Sequence, residues 1–174
     1  RNKDLKRFLD RNAEYTGLDI TGEADFIVDL DKEKIPFPDN SFDCVVCFDV
    51  LEHLENIHLV FDEIIRVSSK YAIISLPNCY AANFFKIITG RGGTRHYGLP
   101  SGPTKDRHRW FFNYQEAKDF ILKRAERNGA KVIQCHAFVR NKPFRNFILK
   151  IIYGRNYENI ASLCIFALIK KNES

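Results

Sequence analysis

Methionine is absent from the 174 residues, and the chain opens at Arg1. The expectation is a sequence that begins inside a longer protein. No apolar run approaches the ~18 residues of a membrane span; the longest near the end, Leu163 to Ile169, has the length of a strand. Cysteine is sparse and odd in number (Cys44, Cys47, Cys79, Cys135, Cys164), four of the five inside apolar strand-like runs. That pattern excludes a disulfide framework, and no spacing suggests zinc, so buried reduced thiols in a cytoplasmic protein are expected. Internal repeats and low-complexity segments are also missing. The apolar share of 45% and charged share of 28% exclude wholesale disorder. At about 150 residues per domain the chain reads as one domain. A net charge of +5 permits an anionic ligand without demanding nucleic acid.

What is present alternates between two periods. Leu5, Phe8 and Leu9 make one apolar stripe over 1–12, an amphipathic helix. Short strands are expected at 15–20 and 25–30, each closing on or near a carboxylate. Pro36, Pro38, Asp39, Asn40 and Ser41 are turn chemistry. The run Phe42 to Phe48 reads as a parallel strand covered on both faces. Ile57, Val60, Phe61, Ile64 and Ile65 follow the i, i+3, i+4, i+7, i+8 rule and predict a helix over 56–67. A strand at 71–76 stops at Pro77, and a helix over 81–89 ends at glycines. Asn113 and Glu116 form a capping-box pattern before a helix over 114–128, with Gly129 in the C′ position. Strands at 131–138 and 162–171 flank a helix marked by Phe144, Phe147, Ile148 and Ile151. Such alternation means an α/β protein with a mostly parallel sheet; the last strand is expected to be an antiparallel edge.

In open α/β sheets ligands bind beyond the carboxyl ends of the strands. That rule selects Asp19, Asp29 with Leu30, Phe48 with Asp49, and Pro77 with Asn78. A carboxylate so placed can accept two hydrogen bonds from a ribose diol, although a lone Asp19 serves equally as a helix N-cap or a solvated loop acid. The ordered set Asp19-Ile20, Asp29-Leu30, the run 35–46 with Pro36-Phe37-Pro38-Asp39-Asn40-Ser41-Phe42-Asp43, then Asp49 to Leu54, resembles the class I S-adenosylmethionine-dependent methyltransferases, type 11. The resemblance is strong over residues 5–80. It implies a Rossmann-like, doubly wound, mostly parallel sheet with helices on both faces, and S-adenosyl-L-methionine as cofactor. It assigns Asp19 to the ribose hydroxyls, Ile20 to the adenine face, Asp29 and Leu30 to the adenine edge, and Phe48 and Asp49 to the floor beneath the methionine sulfonium. The family's glycine-rich loop is absent: Gly17 is the sole glycine before Asp19. The expectation is a single methyltransferase domain, 1–174, without its first strand and that loop, which precede Arg1. Because that strand is central in the family's sheet, its absence leaves a gap in the ladder.

Residues 91–109 lack periodicity and carry Arg91, Arg95, His96, Lys105, Arg107, His108 and Arg109 among Tyr97, Trp110 and Phe111. We read 79–112 as a lid on the acceptor side, aromatics anchoring it and cations facing the cleft. His108 is the candidate base for a hydroxyl acceptor, with His53 second, since an imidazole titrates near the working pH. Asp49, Glu52, His53 and His108 also resemble the magnesium site of small-RNA 2′-O-methyltransferases and ubiquinone-biosynthesis O-methyltransferases, although glutamate-histidine after this strand is common and magnesium favours carboxylates. The expected activity is methyl transfer to oxygen or nitrogen of a small-molecule or glycan-like, anionic acceptor. The alternatives are a metal-assisted RNA 2′-O-methyltransferase and a degenerate, non-catalytic Rossmann-like binding domain.

Overall fold

A computed structural model describes residues 9–91, 94, 96–104 and 106–172. The amphipathic stripe expected over 1–12 falls largely outside them. The elements are β1 (Leu18–Asp19), β2 (Phe26–Ile27), β3 (Phe42–Cys47), α1 (Ile57–Val67), β4 (Ser68–Pro77), α2 (Cys79–Ile88), α3 (Tyr114–Arg127), β5 (Ala130–Val139), α4 (Pro143–Tyr153), α5 (Tyr157–Ala161) and β6 (Ser162–Lys171). The α/β class and the helix positions agree with the sequence pattern. The first two strands are two residues each, shorter than expected.

The larger sheet has the order β3-β4-β6-β5, with β3 parallel to β4 and β6 antiparallel to both its neighbours. The last strand is therefore antiparallel, as expected, but it is interior and not an edge. Its apolar residues explain the position. Ile165, Ala167 and Ile169 alternate inward beside Ala72, Ile74 and Leu76 of β4, and all six are nearly inaccessible. A strand with such a face loses its burial at an edge, at roughly 1.5–3 kcal/mol for each large side chain. Phe61, Ile64 and Ile65 of α1 and Ile121 and Ala125 of α3 complete this core.

β1 and β2 pair in parallel as a separate ladder, so the described strands form two sheets. Edge-to-face contacts Phe26–Phe37 (4.9 Å) and Phe37–Phe42 (4.8 Å) bridge them. Among the described residues β3 pairs on one side alone, and Asp43 and Cys44 are exposed. The expectation of a strand covered on both faces therefore fails for β3, and so does the expectation of buried thiols for Cys44, which is exposed, and for Cys135 and Cys164, which are half-buried. All five cysteines are free thiols.

The turn-rich run before β3 is held by one arginine. Arg66 donates to Phe37 O (2.8 Å), Ile35 O (3.0 Å), Asp39 Oδ1 (2.8 Å) and both Glu63 carboxylate oxygens (2.8 Å each). Lys171 closes the other side: its Nζ donates to the α1 carboxyl-end carbonyls of Ile65 (2.9 Å) and Arg66 (3.1 Å) and to Asn40 Oδ1 (2.8 Å). A cation on the exposed carbonyls of a helix end is favourable for both dipole and hydrogen bonds. Asn78, nearly inaccessible, joins three elements. Its Oδ1 caps α2 through Tyr80 N and Ala81 N, and its Nδ2 donates to Asn159 O (2.9 Å), Ser162 O (2.9 Å) and Glu158 O (3.2 Å). Strand-end position alone had marked Asn78 as a ligand candidate; the structure employs it as a joint.

Candidate active site

The strand-end residues differ in how they are held. Asp19 closes β1, and its Oδ1 accepts the amides of Ile20 (2.7 Å) and Thr21 (3.3 Å), organising its own turn. Ile20 stands 59% exposed, an apolar side chain beside that carboxylate. Asp29 lies two residues beyond β2, where it accepts from Asp31 N (3.2 Å) and pairs with Lys32 at 2.7 Å. The Lys32 ammonium holds the Asp29 carboxyl below the usual carboxylate range. Leu30 packs on the rim of the core.

Asp49 follows β3 with φ 52°, in the left-handed region that aspartate tolerates better than most residues. Ser75, buried in the adjacent β4, donates to Asp49 Oδ1 (3.2 Å) and lies 3.1 Å from Asp49 N. Ser75 carried no sequence signal; its importance arises because parallel pairing of β3 with β4 brings it beside the turn. Phe48 is 40% exposed and meets Phe166 edge-to-face at 5.6 Å.

Beyond Asp49 the chain makes a single turn of 3₁₀ helix, Leu51–His53, and the segment 106–112 docks on it. Arg109 N donates to Glu52 O (2.8 Å), and Trp110 Nε1 donates to Leu54 O (2.7 Å). Trp110 is thus the expected anchor. Tyr97 is a second: its hydroxyl donates to Trp110 O (2.8 Å) and lies 2.6 Å from Cys79 Sγ.

These contacts assemble a histidine cluster. His53 and His108 meet edge-to-face at 4.6 Å, and His96 stacks on His108 at 4.3 Å. His53 Nδ1 lies 3.2 Å from Arg107 O, and His96 Nδ1 lies 3.3 Å from Asp106 O. His108 Nδ1 is 3.0 Å from the Tyr97 hydroxyl, whose proton goes to Trp110 O. Carbonyl and committed hydroxyl can only accept, so this network assigns the proton of each neutral ring to Nδ1 and leaves three Nε2 lone pairs. Burial, with the neighbouring His53 and His96, pushes His108 down to about 4, so it is neutral at physiological pH.

Glu52, 1% exposed, sits under the cluster with Oε1 3.9 Å from His53 Nε2 and Oε2 buried without a hydrogen-bond partner. Desolvation pushes its carboxyl up to about 7. Asp106 adds an exposed carboxylate 3.8 Å from His53 Nε2 and 3.3 Å from His96 Nδ1. Ligand atoms of Glu52, His53 and His108 lie within 4.8 Å of one another, as do those of His96, Asp106 and His108. Of the four residues resembling a magnesium set, three converge and Asp49 is held by Ser75 instead. His96 and Asp106 are the cluster members that sequence reasoning left unnamed as ligands; their spacing across a non-periodic loop gave no signal. Arg95 and Lys105 lie outside the described residues, whereas Arg91, Arg107 and Arg109 do not.

Residues 3–75 match the methyltransferase domain family. None of the curated proteins matches the chain. Among solved structures, an S-adenosylmethionine-dependent methyltransferase from Archaeoglobus fulgidus is 18% identical with a TM-score of 0.55, the match covering 97% of this chain and 80% of that one. A second, from Mesorhizobium loti, is 14% identical with a TM-score of 0.51, covering 90% and 80%. The small RNA methyltransferase HEN1 is 18% identical with a TM-score of 0.50, covering 79% of this chain but 15% of that chain. The fold is that of the class I methyltransferases. Over residues 3–75 the chain is similar to the methyltransferase domain family, and it shares its fold with S-adenosylmethionine-dependent methyltransferases.

Proposed function

We propose that the chain methylates an oxygen or nitrogen of a small-molecule or glycan-like acceptor, with His108 as general base. The observation that carries this reading is geometric: His108 is tied through Nδ1 to Tyr97 and presents its Nε2 lone pair in the cluster over the turn that follows Asp49. Burial keeps the ring unprotonated but makes it a weaker base than the imidazole titrating near the working pH that the sequence implied. Bound S-adenosylmethionine supplies an electrophilic methyl carbon on a sulfonium. Asp19 would hold the ribose hydroxyls, Ile20 would pack on the adenine, and Asp29 and Leu30 would meet its edge. Exposed Lys32 does not fix Asp29, because a surface pair is worth at most about 1 kcal/mol. Phe48 and Asp49 would floor the methionine end, where the Asp49 carboxylate would favour the cationic sulfur. The fit is supported by two apolar side chains, Ile20 and Phe48, standing open beside carboxylates at strand ends. His108 Nε2 would take up the proton that the acceptor oxygen or nitrogen gives up on methylation, the cofactor leaving as S-adenosylhomocysteine, and His53 supports the ring edge-on. The cations Arg91, Arg107 and Arg109 suit an anionic acceptor.

In His108→Ala, turnover should fall about 10²-fold while calorimetric affinity for S-adenosylhomocysteine stays unchanged. Unchanged turnover overturns the assignment.

A second reading has its own observation. The unpartnered buried Oε2 of Glu52 beside the His53 and His108 lone pairs fits a divalent cation, with each imidazole oriented by an acceptor on its other nitrogen. Glu52, His53 and His108 would hold it, and it would polarise an acceptor hydroxyl, as a metal-assisted RNA 2′-O-methyltransferase requires. Loss of activity with chelator and its return with magnesium would favour this reading; activity that survives chelation removes it.

A further inference from the structure

The apolar stripe that marks α4 in the sequence points the wrong way for a core helix. Phe144 is 79% exposed, Phe147 63%, Ile151 68% and Ile152 63%, and Leu149 is the buried residue of the helix. The i, i+3, i+7, i+8 spacing that elsewhere seats a helix on the sheet here faces outward. The carboxyl-terminal half of α2 does the same, with Phe85, Ile87 and Ile88 each more than half exposed. The two helices belong to one surface: both pack on α5, and Phe84 of α2 meets Tyr153 of α4 at 6.0 Å. Scattered exposed apolar residues need no explanation, but a contiguous pair of apolar helical faces does.

Charge identifies the partner. Residues 79–105 hold four Lys or Arg and residues 131–157 hold six, with no Asp or Glu in either stretch. The whole chain is +5, so everything outside these two stretches is net negative. Of these cations Lys86 lies on α2, and Arg140, Lys142, Arg145, Lys150 and Arg155 lie on or beside α4, against the single acid Glu158 on α5. Arg140 and Lys142 lead into α4, Lys150 lies on it and Arg155 follows it.

We infer that α2 and α4 form a docking surface for an anionic phospholipid bilayer. Aliphatic and phenyl groups on a convex helix face enter the acyl boundary, and Lys and Arg around them meet phosphate headgroups. A second copy of the chain would bring Lys86 and the cations in and around α4 against their own copies across an isologous contact, which opposes self-association. A nucleic-acid backbone would satisfy the cations but leave the isoleucines and phenylalanines in water. The inference rests on neither the cofactor nor the acceptor assignment. Membrane binding and S-adenosylhomocysteine binding therefore fail separately.

The test is co-sedimentation of the full chain with phosphatidylglycerol–phosphatidylcholine vesicles and with vesicles of phosphatidylcholine alone. The protein should pellet with the anionic vesicles, less as salt is raised, and remain in the supernatant with the neutral ones. Phe147→Asp with Ile151→Asp should weaken binding at least tenfold without altering circular dichroism, because both side chains already face solvent. Arg140→Gln should weaken it about fivefold, the share of one cation at an anionic surface. A folded wild-type chain that stays in the supernatant with anionic vesicles overturns the inference. Pelleting that both variants leave unchanged does so as well. A dimer that Phe147→Asp dissolves, in the absence of vesicle binding, assigns the surface to a second copy instead.

Discussion

The stretch 35–77 and the stretch 79–112 meet at Asn78 and are built on opposite terms. In the first, the turn-rich run and the end of β3 are held by side chains with structural partners: Arg66 binds five oxygens, Glu63 also accepts Ile35 N, and Ser75 fixes Asp49. In the second, the side chains with unused lone pairs gather: the imidazoles His96 and His108, with His53 and the orphan Glu52 carboxylate across the contact. The run most characteristic of the family, Pro36 to Asp43, lies in the first stretch, where Arg66 clamps it and Lys171 pins Asn40. The motif that carries the family resemblance is therefore scaffold, while the side chains with free lone pairs gather on a loop without periodicity.

Breaking the junction gives the largest expected effect. Asn78→Ala removes the α2 cap and leaves buried carbonyls of Glu158, Asn159 and Ser162 without that donor. A loss of about 4 kcal/mol is expected, the sum of a cap and an unsatisfied buried network, read as a lower denaturant midpoint. A loss below about 1 kcal/mol would show that α2 and α5 hold to β6 by packing alone.

The same contrast explains which expectations the sequence could support. Helix positions and the capping box follow local periodicity, and the structure has them within a few residues. The interior place of β6 depends on where β5 pairs, and the outward stripe of α4 on which face the sheet offers; neither is a local property. Asp49 was legible as a strand-end acid, but its partner Ser75 is distant in sequence. His108 was legible as a titratable residue in a long loop. Its low proton affinity was not, because that depends on His53 and His96 closing around it.

Glu52 sharpens the comparison, since its Oε2 is a buried atom of the turn left unpaired among the described residues. Its carboxyl titrates near 4.5 when unfolded and about 7 when folded. Between those values the folded chain holds the proton that the unfolded chain has released, so stability falls as pH rises through that window. Glu52→Gln removes the titration and should be more stable than wild type above pH ~7 by about 3 kcal/mol, with little difference below pH ~4.5. His108 has the opposite sign: its folded value is depressed to about 4, so its contribution is lost as pH falls through 6.5 towards 4. In wild type the two slopes oppose each other between about pH 4.5 and 6.5. In Glu52→Gln the His108 slope should stand alone, with stability rising over that range. Denaturant titrations at several pH values check this, and a variant with wild-type pH dependence would show that Glu52 ionises normally in the fold.

The smallest expected effect sits where the lid ends and α3 begins. Asn113 Oδ1 accepts Glu116 N at 3.0 Å, and Glu116 Oε2 accepts Asn113 N at 2.8 Å. The pair satisfies two donors that α3 would otherwise expose, and it sets the point at which loop becomes helix. Asn113→Ala should cost about 1 kcal/mol, with an unchanged denaturant slope because the same surface is buried. Removing both partners should cost less than the two single losses added, since each bond needs one group from each residue. Turnover should stay within about twofold, because the lid is also held through Arg109 N on Glu52 O, Trp110 Nε1 on Leu54 O and Cys79 N on Phe112 O. A fall in turnover like that of His108→Ala, at unchanged stability, would show instead that the position of His108 depends on the register of α3 and that scaffold and lid are not separable here.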